Sequence, residues 1–149
     1  MLLIVALHVL AVVVWVGGMA FALFILRPGL AALPPAQRLA VLAKVFARFL
    51  PAVGYAIVVI AATGGWLLLQ YGGLRNAPWG VHAMIGLGLV MVLVYLWILL
   101  RLNPRLQAAV RAEDWAAGGA AAERIRGWVA INLALGVVVI IVGIAGRAG

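Results

Sequence analysis

Four long apolar stretches, separated by shorter polar segments, dominate the pattern of residues along this chain. They run from about 2 to 26, 50 to 70, 81 to 100 and 127 to 146, and none carries an acidic or basic residue in its middle. Each is close to the roughly 20 residues that a helix needs to cross about 30 Å of hydrocarbon. Because an isolated strand would leave backbone groups unsatisfied in lipid, the pattern predicts an all-α, integral membrane four-helix bundle.

Composition agrees with a membrane protein and excludes several kinds of site. The chain has 149 residues, of which 68% are hydrophobic and 9% charged, whereas about 25% of the residues in a soluble domain are charged. We expect one transmembrane domain, 1–149, in contact with the lipid bilayer. There is no cysteine and there are only three acidic residues, which excludes disulfides and thiolate metal sites and leaves little material for carboxylate catalysis.

The basic residues indicate the orientation of the bundle. Nine of them flank the connections between the first and second and between the third and fourth stretches: Arg27, Arg38, Lys44, Arg48, Arg101, Arg105, Arg111, Arg124 and Arg126. Arg75 and Arg147 belong to the other side. Cytoplasmic loops collect basic residues, so both termini are predicted to be extracytoplasmic. The net charge of +8 is therefore attributed to topology, and no nucleic-acid partner is expected.

The connections on the basic side carry further signals. A basic amphipathic stretch over 37–49 predicts an interfacial helix that runs into the second span. The third connection is expected to turn at 103–104 and to break again at 118–119. Three apolar residues of this connection are placed on the membrane surface: Leu106, Val110 and Trp115.

His8 and His82 are the only two histidines of the chain. His8 is predicted to lie ~9 Å below the outer boundary of the membrane, and His82 near the start of the third span. Both spans enter from the outer side, so the two imidazoles have similar depths. Polar groups inside a membrane are costly and are often functional. Paired metal ligation is favoured, with proton transfer and a purely structural hydrogen bond as alternatives.

The spacing of the other donors bears on which metal would bind. Met84 and Met91 lie nearly opposite His82 around a helix, and Met19 lies ~16 Å deeper than His8. Only Met1 shares the face and approximate depth of His8. Neutral imidazoles suit copper, zinc or haem iron. Two axial imidazoles complete a haem b, while monovalent copper is able to accept two ligands.

Four other residues are candidates for a cofactor pocket. Trp15 lies below His8 on the same face and would form its floor, while Gly18 and Gly86 would provide room for a porphyrin. Arg75 would pair with propionate groups. Each has a simpler alternative, namely core packing for Trp15, close helix packing for the glycines and solvation for Arg75. Asn132 is expected to form an interhelical hydrogen bond, and Thr63 to bond to its own backbone.

Several motifs resemble the copper-resistance protein D (CopD) family. They are Leu7-His8-Val9-Leu10, Trp15-Val16-Gly17-Gly18-Met19, Arg27-Pro28, Arg48-Phe49, Thr63-Gly64, Val81-His82-Ala83-Met84 and Ile131-Asn132-Leu133 with Gly136. The resemblance covers nearly the whole chain and is to the short, four-helix branch. It implies copper handling in the bacterial inner (cytoplasmic) membrane. A related branch is similar to HemJ-type protoporphyrinogen oxidases, in which the first-helix histidine corresponds to His8. That branch has a lysine in its third helix, and this chain has none there.

These observations lead to an ordered set of functional hypotheses. The first is haem b held by His8 and His82 for electron transfer or membrane redox chemistry, with a membrane or periplasmic redox partner. The second is copper binding or transport through the same histidines. The third is a haem-biosynthetic oxidase, and the fourth a cofactor-free subunit of a larger assembly. A homodimer through the glycine-rich faces is also expected.

Overall fold

Residues 1–146 are described by a computed structural model of the chain. They form four long helices: α1 Leu2–Leu30, α2 Pro35–Gln70, α3 Trp79–Arg111 and α4 Trp115–Ala145. All four are long and apolar enough to cross a membrane, and no strand occurs among residues 1–146. The predicted all-α membrane bundle is confirmed, while its orientation stays a prediction. Arg147, which was assigned to the outer side, lies outside the described residues.

The helices are longer than the hydrocarbon layer. Helix α2 contains 36 residues and is therefore about 54 Å long, against a hydrocarbon thickness of about 30 Å. The extra length lies at the end where α1 meets α2 and α3 meets α4, which we call the basic end. The opposite end, where α1 and α3 begin, is called the histidine end.

The expected turn at 103–104 and the expected break at 118–119 are both wrong. A π-helical turn over Ile98–Leu102 directly precedes Asn103-Pro104, and such a turn accommodates a proline inside a continuing helix. The chain reverses instead at 112–114, where Glu113 adopts a positive φ of 54°. Asp114 then accepts a hydrogen bond from the Ala117 amide at 3.0 Å and caps α4.

Gly118 does not break the chain but lies inside α4, where its lack of a side chain allows α4 to pack closely on α2. A methyl group at this position would lie 3.2 Å from the Leu39 side chain of α2. The three residues that were expected on the membrane surface lie in helices and pack in or against the core: Leu106, Val110 and Trp115. Leu106 illustrates the correction, since its exposed fraction is 0%.

The stretch 37–49 at the basic end is helical and continues into the second span, as predicted. Its position at the membrane interface stays a prediction. Its apolar face packs in one core with the extensions of α3 and α4. That core includes Leu39, Leu42, Phe46, Leu102, Leu106, Ala121 and Ile125. Gln107 reinforces it by donating a hydrogen bond to the Ala43 carbonyl at 2.8 Å.

At the histidine end the helices associate in pairs. The first part of α1 packs on α2, and the first part of α3 packs on the end of α4. Gly80 of α3 and Gly146 approach each other so closely that their backbones touch. The connection between α2 and α3 turns at Gly72 and Gly73, whose φ values of 77° and 94° are in the region that favours glycine.

The close approach of α3 and α4 predicts different effects for two glycines of α3. A methyl group at Gly80 would lie 2.6 Å from the Gly146 Cα and 3.0 Å from the Val142 carbonyl oxygen. Both obstacles are backbone atoms, so a side-chain rotation cannot relieve them. We expect Gly80→Ala to destabilise the protein by about 1–3 kcal/mol, measured as a lower Tm in detergent.

Gly86→Ala is the matched control, since no heavy atom lies within 4 Å of a methyl group there. Alanine favours a helix over glycine by about 1 kcal/mol, so this variant should keep or slightly raise the Tm. Equal losses of stability in the two variants would contradict the close helix contact.

Candidate metal site at the histidine end

His8 is half-buried between α1 and α2. Its Nδ1 atom lies 2.8 Å from the Thr63 hydroxyl, and a methyl group at Gly64 would lie 3.2 Å from the ring Cε1 atom. The Thr63-Gly64 pair therefore provides both a hydrogen-bond partner and the space for the imidazole. This second partner of Thr63 was not predicted.

The hydrogen bonds of Thr63 determine which nitrogen of His8 carries the proton. The Thr63 hydroxyl donates to the Val59 carbonyl at 2.6 Å, which confirms the predicted bond to its own backbone. A hydroxyl has a single proton to donate, so toward His8 it acts as an acceptor and Nδ1 as the donor.

His82 presents the same tautomer in a different setting. Its ring is exposed, and its Nδ1 atom lies 3.3 Å from the Pro78 carbonyl oxygen in the preceding helical turn. A carbonyl only accepts, so Nδ1 is again the donor. In both histidines Nδ1 is thus the nitrogen that donates to an oxygen.

The two histidines belong to different helix pairs. His8 packs against α2, whereas α3 turns its Met84 face toward Gly143 of α4, which leaves His82 on the opposite, exposed face. Among residues 1–146, no three His, Asp or Glu side chains form a group that would hold a metal ion. The arrangement therefore offers separate imidazoles and not a dense ligand cluster.

Two of the residues proposed for a cofactor pocket serve in packing. Trp15 is 6% exposed and meets Tyr95 edge-on, with ring centroids 6.5 Å apart. The space beside Gly18 is filled by the ring of Phe49. Both residues therefore make the packing contacts that were given as the simpler alternative, and their role in a cofactor pocket stays a prediction.

Gly86 and Arg75 remain open to other contacts. Gly86 is exposed on α3, one turn beyond His82 and on the same face. Arg75 is exposed in the 3-10 turn Leu74–Asn76. These two residues lie near His82 along the chain and outside the packed core. A cofactor that contacted them would therefore lie at the surface of the bundle.

The methionines agree with the predicted helix faces. Met84 and Met91 face α4, where they contact Gly143 and Gly136, and Met19 is buried in the core at 2% exposure. Met1 is 79% exposed at the histidine end. Of the four, Met1 is the one placed at the end and surface where both imidazoles occur.

Two polar contacts deeper in the bundle position the helices around this site. The Asn132 amide donates to the Met91 carbonyl at 3.3 Å, which confirms the predicted interhelical hydrogen bond. The Tyr95 hydroxyl donates to the Leu50 carbonyl at 2.9 Å, in the space left by Gly54. The role of Tyr95 was missed, since nothing in the local sequence distinguishes it from an interfacial aromatic residue.

Comparison with known proteins identifies the family. The family model for copper resistance protein D matches residues 43–145, which includes α3 with His82, all of α4 and most of α2 with Thr63. No curated protein matches the chain, and no solved structure matches it. With its four apolar helices, the chain is a multi-pass membrane protein that belongs to the copper resistance protein D (CopD) family.

Proposed function

We propose that this chain binds monovalent copper at the histidine end, through Nε2 of His8 and Nε2 of His82, as part of copper handling in a membrane. The observation that carries the proposal is the shared tautomer. In both rings Nδ1 donates to an oxygen, to Thr63 in one case and to the Pro78 carbonyl in the other. Such outer hydrogen bonds orient an imidazole and raise its basicity toward a metal.

The different settings of the two rings support an order of binding. His82 is exposed, so an incoming ion would meet it first. His8 is half-buried between α1 and α2 and would receive the ion by ligand exchange. Copper is the cargo in this scheme and remains Cu(I), so no electron is transferred. Met1, exposed at the same end, is a further soft donor near this entrance.

Haem b, the first hypothesis from the sequence, has less support than copper. Gly18 and Trp15 are engaged by Phe49 and Tyr95, and the two histidines lie in separate helix pairs. The family description also refers to copper. Bis-histidine haem ligation, electron transfer and the oxidase activity stay predictions, and the visible spectrum described below distinguishes them from copper binding.

The first prediction concerns Cu(I) binding by the purified protein in detergent. Wild type should compete with a chromophoric Cu(I) chelator, and His8→Ala and His82→Ala should each lose most of that binding because each removes an imidazole donor. Leu7→Ala is a control, since Leu7 is an exposed neighbour of His8. Met19→Leu should also retain binding, because Met19 is buried in the core.

Two outcomes would overturn the copper proposal. One is wild-type Cu(I) binding that neither histidine variant reduces. The other is a sharp α-band in the dithionite-reduced spectrum of wild type, absent from both histidine variants, in protein purified from cells with ample haem. The second result would establish the bis-histidine haem in place of copper.

A second prediction tests the tautomer of His8. Thr63→Val preserves the shape of the side chain but removes the oxygen that accepts from Nδ1. The loss of such an outer hydrogen bond costs about 10- to 100-fold in metal affinity. Thr63→Ser keeps the hydroxyl and should stay close to wild type in the same chelator competition. If Thr63→Val binds Cu(I) as tightly as Thr63→Ser, the hydrogen bond does not prepare His8 for a metal.

A further inference from the structure

A large open cavity at the basic end is not used by the proposed copper site. Its volume is about 510 Å³, within the usual range for a small-molecule site. Its walls come from the end of α1, the first turns of α2 and the first part of α4. The lining is apolar except for four charged side chains, Arg27, Arg38, Glu123 and Arg126.

The charged side chains are arranged around a single carboxylate. One oxygen of Glu123 accepts from Arg27 at 2.8 Å, and the other from Arg126 at 2.9 Å. Glu123 therefore holds guanidiniums from α1 and α4 side by side. Within residues 1–146 the Arg38 side chain makes no hydrogen bond or ion pair. Three arginines and one glutamate leave this cavity with a net charge of +2.

Arg27 and Arg126 stabilise the ionised form of Glu123. Glu123 lies on the part of α4 that precedes the apolar stretch beginning near 127. The hydrogen bond from Arg27, aided by the charges of Arg27 and Arg126, holds the pKa of Glu123 below its ordinary value. The carboxylate is therefore charged at neutral pH, and the arginines that it positions keep their geometry.

The cavity lies where the apolar part of the bundle ends. Arg27 follows directly on the apolar stretch of α1, and Arg126 directly precedes that of α4. The apolar lining adds Leu23, Leu30, Leu39, Leu42 and Ala122. A crevice of about 10 Å³ adjoins it and shares Leu23, Arg27, Leu42, Ala122 and Arg126 with it. The charged side chains and the apolar lining thus belong to the same open cavity.

We propose that this cavity binds an anionic phospholipid of the adjacent leaflet, with its phosphate at Arg27, Arg38 and Arg126 and its glycerol and upper acyl chain on the apolar lining. Phosphate matches guanidinium groups in charge and geometry. Basic pockets between helices at a membrane surface are suited to anionic headgroups. The apolar lining of the cavity distinguishes a lipid from a soluble anion, because a free phosphate would leave that surface uncovered.

The test is lipid retention by the full-length protein in detergent, measured by native mass spectrometry. Equal amounts of phosphatidylglycerol and phosphatidylcholine with identical acyl chains are offered. Wild type should retain phosphatidylglycerol preferentially and gain Tm from it. Arg38→Gln should reduce this preference about fivefold, as expected for one basic residue near an anionic headgroup. Because Arg38 has no partner within residues 1–146, its Tm without added lipid should be unchanged.

Arg124→Gln is the matched control. It also removes one arginine from the basic end, but Arg124 is exposed and does not line the cavity, so the lipid preference should persist. Soluble glycerol 3-phosphate at the same concentration should not raise the Tm.

Three results would overturn the proposal: equal retention of the two lipids by wild type, equal loss in the two arginine variants, or stabilisation by glycerol 3-phosphate that matches the lipid. The last result would assign the cavity to a soluble anion. None of these results bears on Cu(I) binding at the opposite end, so the two proposals fail independently.

Discussion

Packing of the helix extensions at the basic end is the interaction on which the rest of this structure depends. Helices that continue beyond the hydrocarbon layer have apolar faces that lipid no longer covers, and burying those faces against one another is favourable. The most completely buried side chains include Leu102, Leu106 and Ile125, all of which belong to this region or border it. The end of the bundle richest in charge therefore also contains several of its most completely buried apolar side chains.

This packing determines how the two ends of the bundle differ. At the basic end, α1, α2 and α4 converge, and their arginines surround a common cavity. At the histidine end the helices form two pairs, joined by small-residue contacts such as that of Gly80 with Gly146. A half-buried imidazole and an exposed imidazole result there, one for each pair.

Inside the bundle, three polar side chains donate hydrogen bonds to the backbone of the helices, although the buried Asn132 side-chain oxygen accepts none within residues 1–146. Thr63 donates to the carbonyl of the preceding turn, Tyr95 to a carbonyl of α2, and Asn132 to a carbonyl of α3. Without water in the membrane interior, an unmet donor would be costly. One of these bonds bears on the proposed site. Because the Thr63 hydroxyl donates its proton to a carbonyl, it accepts a hydrogen bond from Nδ1 of His8.

The sequence by itself determined the fold class, the presence of four spans and the family. The fold class and the spans depend on composition and on the length of apolar runs, and the family depends on short motifs; all of these are local features that need no knowledge of neighbouring helices. Tertiary structure alone decided that 103–104 and 118–119 continue as helix, since a proline or glycine breaks a helix only where packing does not compensate. It also decided that Gly18 accommodates Phe49, that Thr63 faces His8 and that Glu123 pairs with Arg27. Each is a contact between helices distant in sequence, which helical periodicity cannot predict because it gives the faces of a helix and not their partners.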